Sequence, residues 1–342
     1  MKHSLFYAGA LLLLASCAQT GKPHYTVTYN AEEAGLDGKT AYIWDFDKDV
    51  NIDSAVIKNG VAVFDNEIDG SRYVSILIDG RSVGEFFLEA DSIAITEGMA
   101  EGGKLNGLHN QYWHDRMALI SEFNALPDSM KQQRGQEYQD RIDGMESKLR
   151  EENIENALGY YYFFYGPGRE MDLNQLDSAI AAHPVLGEYN RIQKIRDSFM
   201  KQAETSEGKM FKDFEVTYND SVFRLSDHVG KGKYVLVDFW ASWCGPCIRQ
   251  TAVIKDLYKE YGPKGLEVIG VAVWDKPEDT LKGIESHELP WMNVINAQSI
   301  PTDIYGIQGI PCIILFGPDG KILSRDKQDN DLREAVAKAM EF

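Results

Sequence analysis

Phe239-Trp240-Ala241-Ser242-Trp243-Cys244-Gly245-Pro246-Cys247 joins an apolar strand to a helix, and the fold of the C-terminal region is read outward from it. Upstream, Tyr234 to Trp240 is an almost unbroken apolar run interrupted by a single acid, Asp238. A run without polar alternation marks a strand covered on both faces. Downstream, Cys247 to Tyr261 has helical patterning, Leu266 to Trp274 is a second apolar strand, and Ile284 to Trp291 reads as a further helix and its exit. Cys312 to Phe316 and Lys321 to Ser324 are strands on either side of the turn Gly317-Pro318-Asp319-Gly320, and Asp331 to Met340 forms a closing helix. Strands alternating with helices predict an α/β domain over residues 205–342.

The period changes further upstream. Between residues 25 and 98 apolar residues recur every second position, as in Tyr25, Val27 and Tyr29 or Val74, Ile76 and Ile78, with turn signals at Asp37-Gly38, Asn59-Gly60, Asp69-Gly70 and Asp79-Gly80. This pattern predicts a small all-β sandwich or barrel. Residues 99–204 carry helical spacing instead, with Leu105, Leu108, Tyr112 and Leu119 on one face and Tyr138, Ile142, Met145 and Leu149 on another, and predict an all-α domain. Within it, Tyr160-Tyr161-Tyr162-Phe163-Phe164-Tyr165 is apolar all round. Such a segment is expected in a core, although aromatics also dominate binding hot spots.

The chain has 342 residues, 53 acidic against 35 basic side chains, and a net charge of -18. With 44% hydrophobic and 26% charged residues it is a globular composition, and the acidic balance excludes a nucleic-acid binder, which needs a basic face for phosphates. Four cysteines, at positions 17, 244, 247 and 312, are too few for a disulfide scaffold.

Cys244 and Cys247 stand where a strand gives way to a helix. The first is placed at the helix N-terminus, where free backbone N–H groups and the helix dipole stabilise a thiolate. The second, one turn on, is near enough to close a disulfide or to release a mixed one. Gly245 and Pro246 make the intervening turn tight and stiff. A zinc site would need two more ligands, and neither a second CxxC nor a paired-histidine motif lies nearby. Ile248 follows Cys247, so the c-type haem pattern is absent too. No metal and no cofactor beyond the Cys244–Cys247 dithiol is expected.

The N-terminus reads as an address. Met1-Lys2-His3 precedes an apolar stretch through Leu11-Leu12-Leu13-Leu14, too short for a membrane span, and small residues lead to Cys17. Leu14-Ala15-Ser16-Cys17 resembles the lipobox of bacterial lipoproteins. The resemblance implies a signal peptide over 1–16, lipid on Cys17, a tether over 17–24 and attachment to the bilayer on the periplasmic side of the envelope. Ala18 and Gln19 lack the Asp that retains such proteins in the inner membrane, which favours the outer one.

The segment from Phe239 to Cys247 closely resembles the thioredoxin active site, and residues 205–342 resemble the membrane-tethered thioredoxin-like proteins of the TlpA/ResA type. Leu36-Asp37-Gly38-Lys39, Ile52-Asp53-Ser54-Ala55, Asn59-Gly60 and Phe86-Phe87-Leu88-Glu89 resemble an uncharacterised β domain that precedes such modules in Bacteroidetes lipoproteins. The family implies a central mixed sheet flanked by helices and a thiol:disulfide oxidoreductase. In it Cys244 would attack, Cys247 would be the buried resolving thiol, and Asp238 would take its proton. Trp243 would pack beside the reactive sulfur, and Ile310-Pro311 resembles the family's cis-proline loop, whose backbone pairs with an extended client. Cys312 stands where the family has threonine. Strand alternation would turn it away from the active site if Pro311 faces it, which makes it a small buried filler; a third redox thiol and a regulatory partner are the alternatives.

The expected reaction is reduction of disulfides in envelope client proteins, since Cys-Gly-Pro-Cys is typical of reducing members, with an upstream membrane thiol donor restoring the dithiol. A thiol peroxidase is disfavoured because Ala241 stands where related peroxiredoxins place threonine. The remaining alternative is a non-catalytic, partner-binding lipoprotein with a thioredoxin scaffold.

Overall fold

The computed structural model describes residues 22–31 and 35–341, so Cys17, the signal segment and most of the tether lie outside the described residues. The chain forms two compact units that part between Gly166 and Pro167.

In the first unit, eight strands are followed by three helices: β1 (His24–Asn30), β2 (Thr40–Asp45), β3 (Val50–Val56), β4 (Val61–Glu67), β5 (Arg72–Ile78), β6 (Arg81–Leu88), β7 (Ser92–Thr96), β8 (Met99–Glu101), α1 (Lys104–Asn124), α2 (Asp128–Glu152) and α3 (Ala157–Tyr165). The strands make two four-stranded sheets, ordered β4-β1-β7-β8 and β3-β2-β5-β6. The period-two residues meet in one core: Tyr25, Val27 and Tyr29 pack with Ile43, Phe64, Ile76 and Phe86. The outer side of β5 and β6 is also covered, because Tyr73 and Phe87 pack against Leu105, Tyr112, Leu158 and Tyr162. The aromatic run is therefore core: Tyr160, Tyr162, Phe163 and Phe164 are buried and only Tyr165 at its end is exposed. Asn156 caps α3 by accepting the Leu158 N–H at 2.9 Å.

The second unit contains α4 (Leu173–Ala182), α5 (Asn190–Glu204), β9 (Glu215–Tyr218), β10 (Ser221–Arg224), β11 (Tyr234–Trp240), α6 (Gly245–Tyr261), β12 (Leu266–Ala272), α7 (Pro277–Ser286), β13 (Met292–Val294), α8 (Ile300–Tyr305), β14 (Cys312–Phe316), β15 (Ile322–Arg325) and α9 (Asp329–Met340). The sheet order is β13-β12-β11-β14-β15. β11, β12 and β13 run parallel, while β14 and β15 are antiparallel to their neighbours. This is the mixed, doubly covered sheet of the thioredoxin fold. One face packs Val237, Phe239, Val271 and Ile314 under Phe214 and Tyr305. The other packs Leu236, Trp240 and Ile313 under Ile254, Leu257, Leu332 and Val336 of α6 and α9.

The stretch 104–204 is helical as expected, but its helices divide: α1 to α3 lie in the first unit, α4 and α5 in the second. Burial decides this division. The apolar faces of α1 and α3 cover the outer side of β5 and β6, whereas the end of α5 is tied to the sheet by the buried Arg325. Its guanidinium donates to Thr205 O at 3.1 Å, Thr205 Oγ1 at 2.5 Å and Tyr305 O at 2.8 Å. A buried guanidinium is stable only with its donors occupied, so these bonds fix the approach of α5 to the sheet. Two further differences concern short elements. The helix expected at 284–291 sits earlier, at Pro277–Ser286, with Pro277 in its first turn, and β13 and α8 follow where no element was expected. Among the described residues no helix is long and apolar enough to cross a membrane.

Candidate functional site

The strand β11 ends at Trp240, three linking residues follow, and Cys244 becomes the N-cap of α6. Its Sγ accepts the backbone N–H of Cys247 at 3.2 Å, so a side-chain sulfur occupies the place where a serine or aspartate oxygen ordinarily caps a helix. Gly245 and Pro246 fill the first turn, where a proline's missing N–H costs nothing. Cys244 and Cys247 are joined in a disulfide with S–S 2.00 Å and Cα–Cα 5.3 Å. Both sulfurs are shielded: Cys244 is 4% exposed and Cys247 fully buried.

Three more expected residues meet this pair. The Ile310–Pro311 peptide is cis, and Ile310 O lies 3.7 Å from Cys244 Sγ. Trp243 is 61% exposed beside the disulfide, and its indole N–H donates to Trp274 O at 3.1 Å. An exposed aromatic and the cis-proline loop thus flank Cys244.

Asp238 is 1% exposed and shares its sheet face with Leu236, Trp240 and Cys247. Burial alone pushes its carboxyl up to about 7. Its Oδ1 has no hydrogen-bond partner in the protein. Cys312 pairs with Phe239 and lies in the core on the opposite face, with Val237 and Ile314. Its thiol is raised well above the ordinary range, first by burial and then by the Asp326 carboxylate. This burial on the far face is the placement expected of a small apolar filler.

One residue at the site escaped the sequence reading. Asp275, just after β12, accepts the Ser242 N–H at 2.8 Å, the Ser242 hydroxyl at 3.0 Å, the Lys276 N–H at 3.0 Å and the Thr280 hydroxyl at 3.0 Å. It thereby binds the loop before Cys244 to the start of α7. The available signal was an acid directly behind a buried strand and one residue before a Lys-Pro helix start, which marks a loop or cap and not a partner. Among the described residues no group of His, Cys, Asp and Glu side chains is arranged to hold a metal ion.

This geometry is a disulfide at a helix N-terminus, with a buried acid on the preceding strand and a cis-proline loop beside it. The model of the AhpC/TSA family matches residues 208–325, and that of a domain of unknown function, DUF4369, matches residues 25–105. The thiol-disulfide oxidoreductase ResA of Geobacillus kaustophilus is 30% identical over 125 residues, which are 36% of this chain and 71% of the relative. Its namesake from Geobacillus thermodenitrificans is 33% identical over 99 residues, and the match spans 29% of this chain and little more than half of that protein, 56%. Among solved structures, the thioredoxin domain of a Bacteroides vulgatus thiol-disulfide oxidoreductase is 31% identical with a TM-score of 0.37, covering 40% of this chain and 99% of that one. The chain belongs, through its C-terminal unit, to the thioredoxin-like thiol-disulfide oxidoreductases.

Proposed function

We propose that this protein reduces disulfides of client proteins on the periplasmic side of a bacterial envelope, using Cys244 and Cys247 as its redox pair. The observation that carries the reading is Cys244 Sγ capping α6, with the Cys247 N–H on it at 3.2 Å and Asp238 buried on the same face. In the reduced protein that N–H and the helix dipole favour the Cys244 thiolate. The thiolate attacks one sulfur of the client disulfide, and the client's other sulfur leaves as a thiolate that takes up a proton. Asp238 then accepts the Cys247 proton, Cys247 sulfur bonds to Cys244 sulfur, and the Cys244–client bond breaks with its electron pair on the client. Two electrons pass to the client, and the product is the Cys244–Cys247 disulfide. An upstream membrane thiol donor would reverse these steps to regenerate the dithiol. Trp243, Gly245, Pro246, Ile310 and Pro311 form the surface where an extended client strand docks.

Replacing Cys247 by alanine removes the resolving step, so envelope clients should accumulate as mixed disulfides on Cys244 that a reductant releases. An adduct pattern identical to that of Cys244→Ser would contradict the reading. Lipid on Cys17 would hold the active unit at the membrane, with the outer membrane favoured. Cys17→Ser should leave the protein unprocessed and without acyl chains in metabolic labelling, and normal acylation of that variant would overturn the anchor.

A further inference from the structure

The loop that carries Ile310 and Pro311 runs from the end of α8 to the start of β14. At its far end, β14 pairs with β11 in the central sheet. Its near end rests on α5, a helix that precedes every strand of that sheet and that sequence spacing groups with the all-α stretch 99–204. Gly306 closes α8 in the left-handed region, at φ +64°. A Cβ there would meet Ser198 O at 2.2 Å and Gln202 N at 2.7 Å. The turn into the loop therefore lies directly on the backbone of α5, and only glycine fits.

Polar bonds hold the same turn. The Ser198 hydroxyl donates to Gly306 O at 3.2 Å. Arg325 bridges the ends of the two helices, since its guanidinium reaches Thr205 after α5 and Tyr305 O at the end of α8. The Tyr305 hydroxyl donates to Lys212 O at 2.6 Å and accepts the Lys212 N–H at 3.0 Å. Thr205 and Tyr305 are fully buried, where an unmade bond costs more than a made one gains. Gly306 stands four residues before Ile310. Between them Ile307 is buried in the core, whereas Gln308 and Gly309 are exposed. The loop's position is thus set from its two ends, one of them on α5.

We propose that α5 positions the cis-proline loop for client docking, with Ser198 and Gly306 as positioning residues that set affinity for protein clients and leave the sulfur chemistry alone. This rests on the reading that the Ile310 backbone pairs with a client strand. Ile310 O lies 3.7 Å from Cys244 Sγ, so a client cysteine bonded to that sulfur brings its own backbone to Ile310. Hydrogen bonding between the two chains is sensitive to distance and angle, and a displacement of about 1 Å in a prepared site can cost a factor of about 100. Cys244 itself is governed from another side, by the α6 N–H on its sulfur. Loosening the loop from α5 therefore weakens docking more than it slows exchange.

Gly306→Ala forces the turn off α5. In the full chain, with dithiothreitol as reductant, its KM for insulin should rise about tenfold while kcat stays within about twofold of wild type. Hydroxyethyl disulfide is too small to pair with Ile310 as it reacts at Cys244, and its reduction should stay within about twofold. Ser198→Ala removes the bond to Gly306 O and should raise the insulin KM about threefold, and Ser198→Thr, which keeps a hydroxyl, should restore it. Ser198→Ala carries the test should Gly306→Ala not fold. Amide exchange of Ile307, whose N–H donates to Thr302 O at 2.9 Å, should quicken about tenfold in Gly306→Ala while Ile314 and Leu315 of β14 exchange as in wild type. An unchanged insulin KM or unchanged Ile307 exchange in the folded variants overturns the proposal, as does equal slowing with both disulfides. The exchange measurement involves no client, so a wild type that reduces no insulin, with Ile307 exchange as expected, would refute the reductase reading alone.

Discussion

Cys244→Ser should lower the rate of insulin disulfide reduction by a factor of about 1,000 or more, to the uncatalysed background. A serine hydroxyl can still cap α6 and accept the Cys247 N–H, so the fold should survive while the nucleophile is lost. Cys247 cannot substitute, because it is fully buried beneath the loop, whereas Cys244 lies against Ile310 O and beside the exposed Trp243. Cys312→Ala should keep the wild-type rate within about twofold, since its thiol lies on the far face of the sheet and is held protonated. Turbidity of the released insulin B chain reads all three proteins. Equal rates for wild type and Cys244→Ser would make the thioredoxin fold a scaffold for some other task.

Asp238→Asn should make the protein more stable at pH 8 by ~4 kcal/mol while changing little at pH 4. The carboxyl ionises near its ordinary value of 3.8 when unfolded, and burial pushes it up to about 7 in the folded protein. Between those values the folded state keeps a proton that the unfolded state has lost, so folding is favoured least when the pH exceeds both. Stability contributed by protonated Asp238 is complete below about pH 4 and is lost as pH rises through about 7. Asparagine is neutral throughout and lacks this loss. Urea unfolding of both oxidised proteins at pH 4, 6 and 8 should give a difference that grows with pH. A constant difference would show that Asp238 ionises as an ordinary surface carboxylate. The same variant should reduce disulfides more slowly, because the base is gone, so stability and activity would change in opposite directions.

What the sequence made legible follows from local signals. The apolar run at Tyr234–Trp240 and the Cys-Gly-Pro-Cys turn placed β11 and α6 correctly, because a strand buried on both faces and a proline in the first helical turn leave marks within a few residues. The alternation of Tyr25, Val27 and Tyr29 likewise gave one sheet of the first unit. The Asp238 and Ile310–Pro311 assignments rest on family resemblance; the structure shows Ile310 O beside Cys244 Sγ and Asp238 buried on β11. Short elements were lost: β13 has three residues and α8 six, below the length at which periodicity separates helix from strand. The hairpin of β9 and β10 turns at Asn219-Asp220, both at positive φ, a signal present in the sequence but unused. The split of the helices between units depends on which sheet offers an apolar face, and no local pattern records that. Nor does one record Asp275 on the active-site loop or the backbone of α5 against Gly306, where residues from separate elements meet.

The central claim is that Cys244 and Cys247 form a reducing two-electron couple, and its most direct test is the equilibrium midpoint potential of that pair. Equilibration against defined dithiothreitol buffers, with free thiols counted by alkylation and mass spectrometry, should give a single two-electron transition near the thioredoxin value, about −270 mV. A midpoint near that of strong oxidants, about −120 mV, would contradict the account.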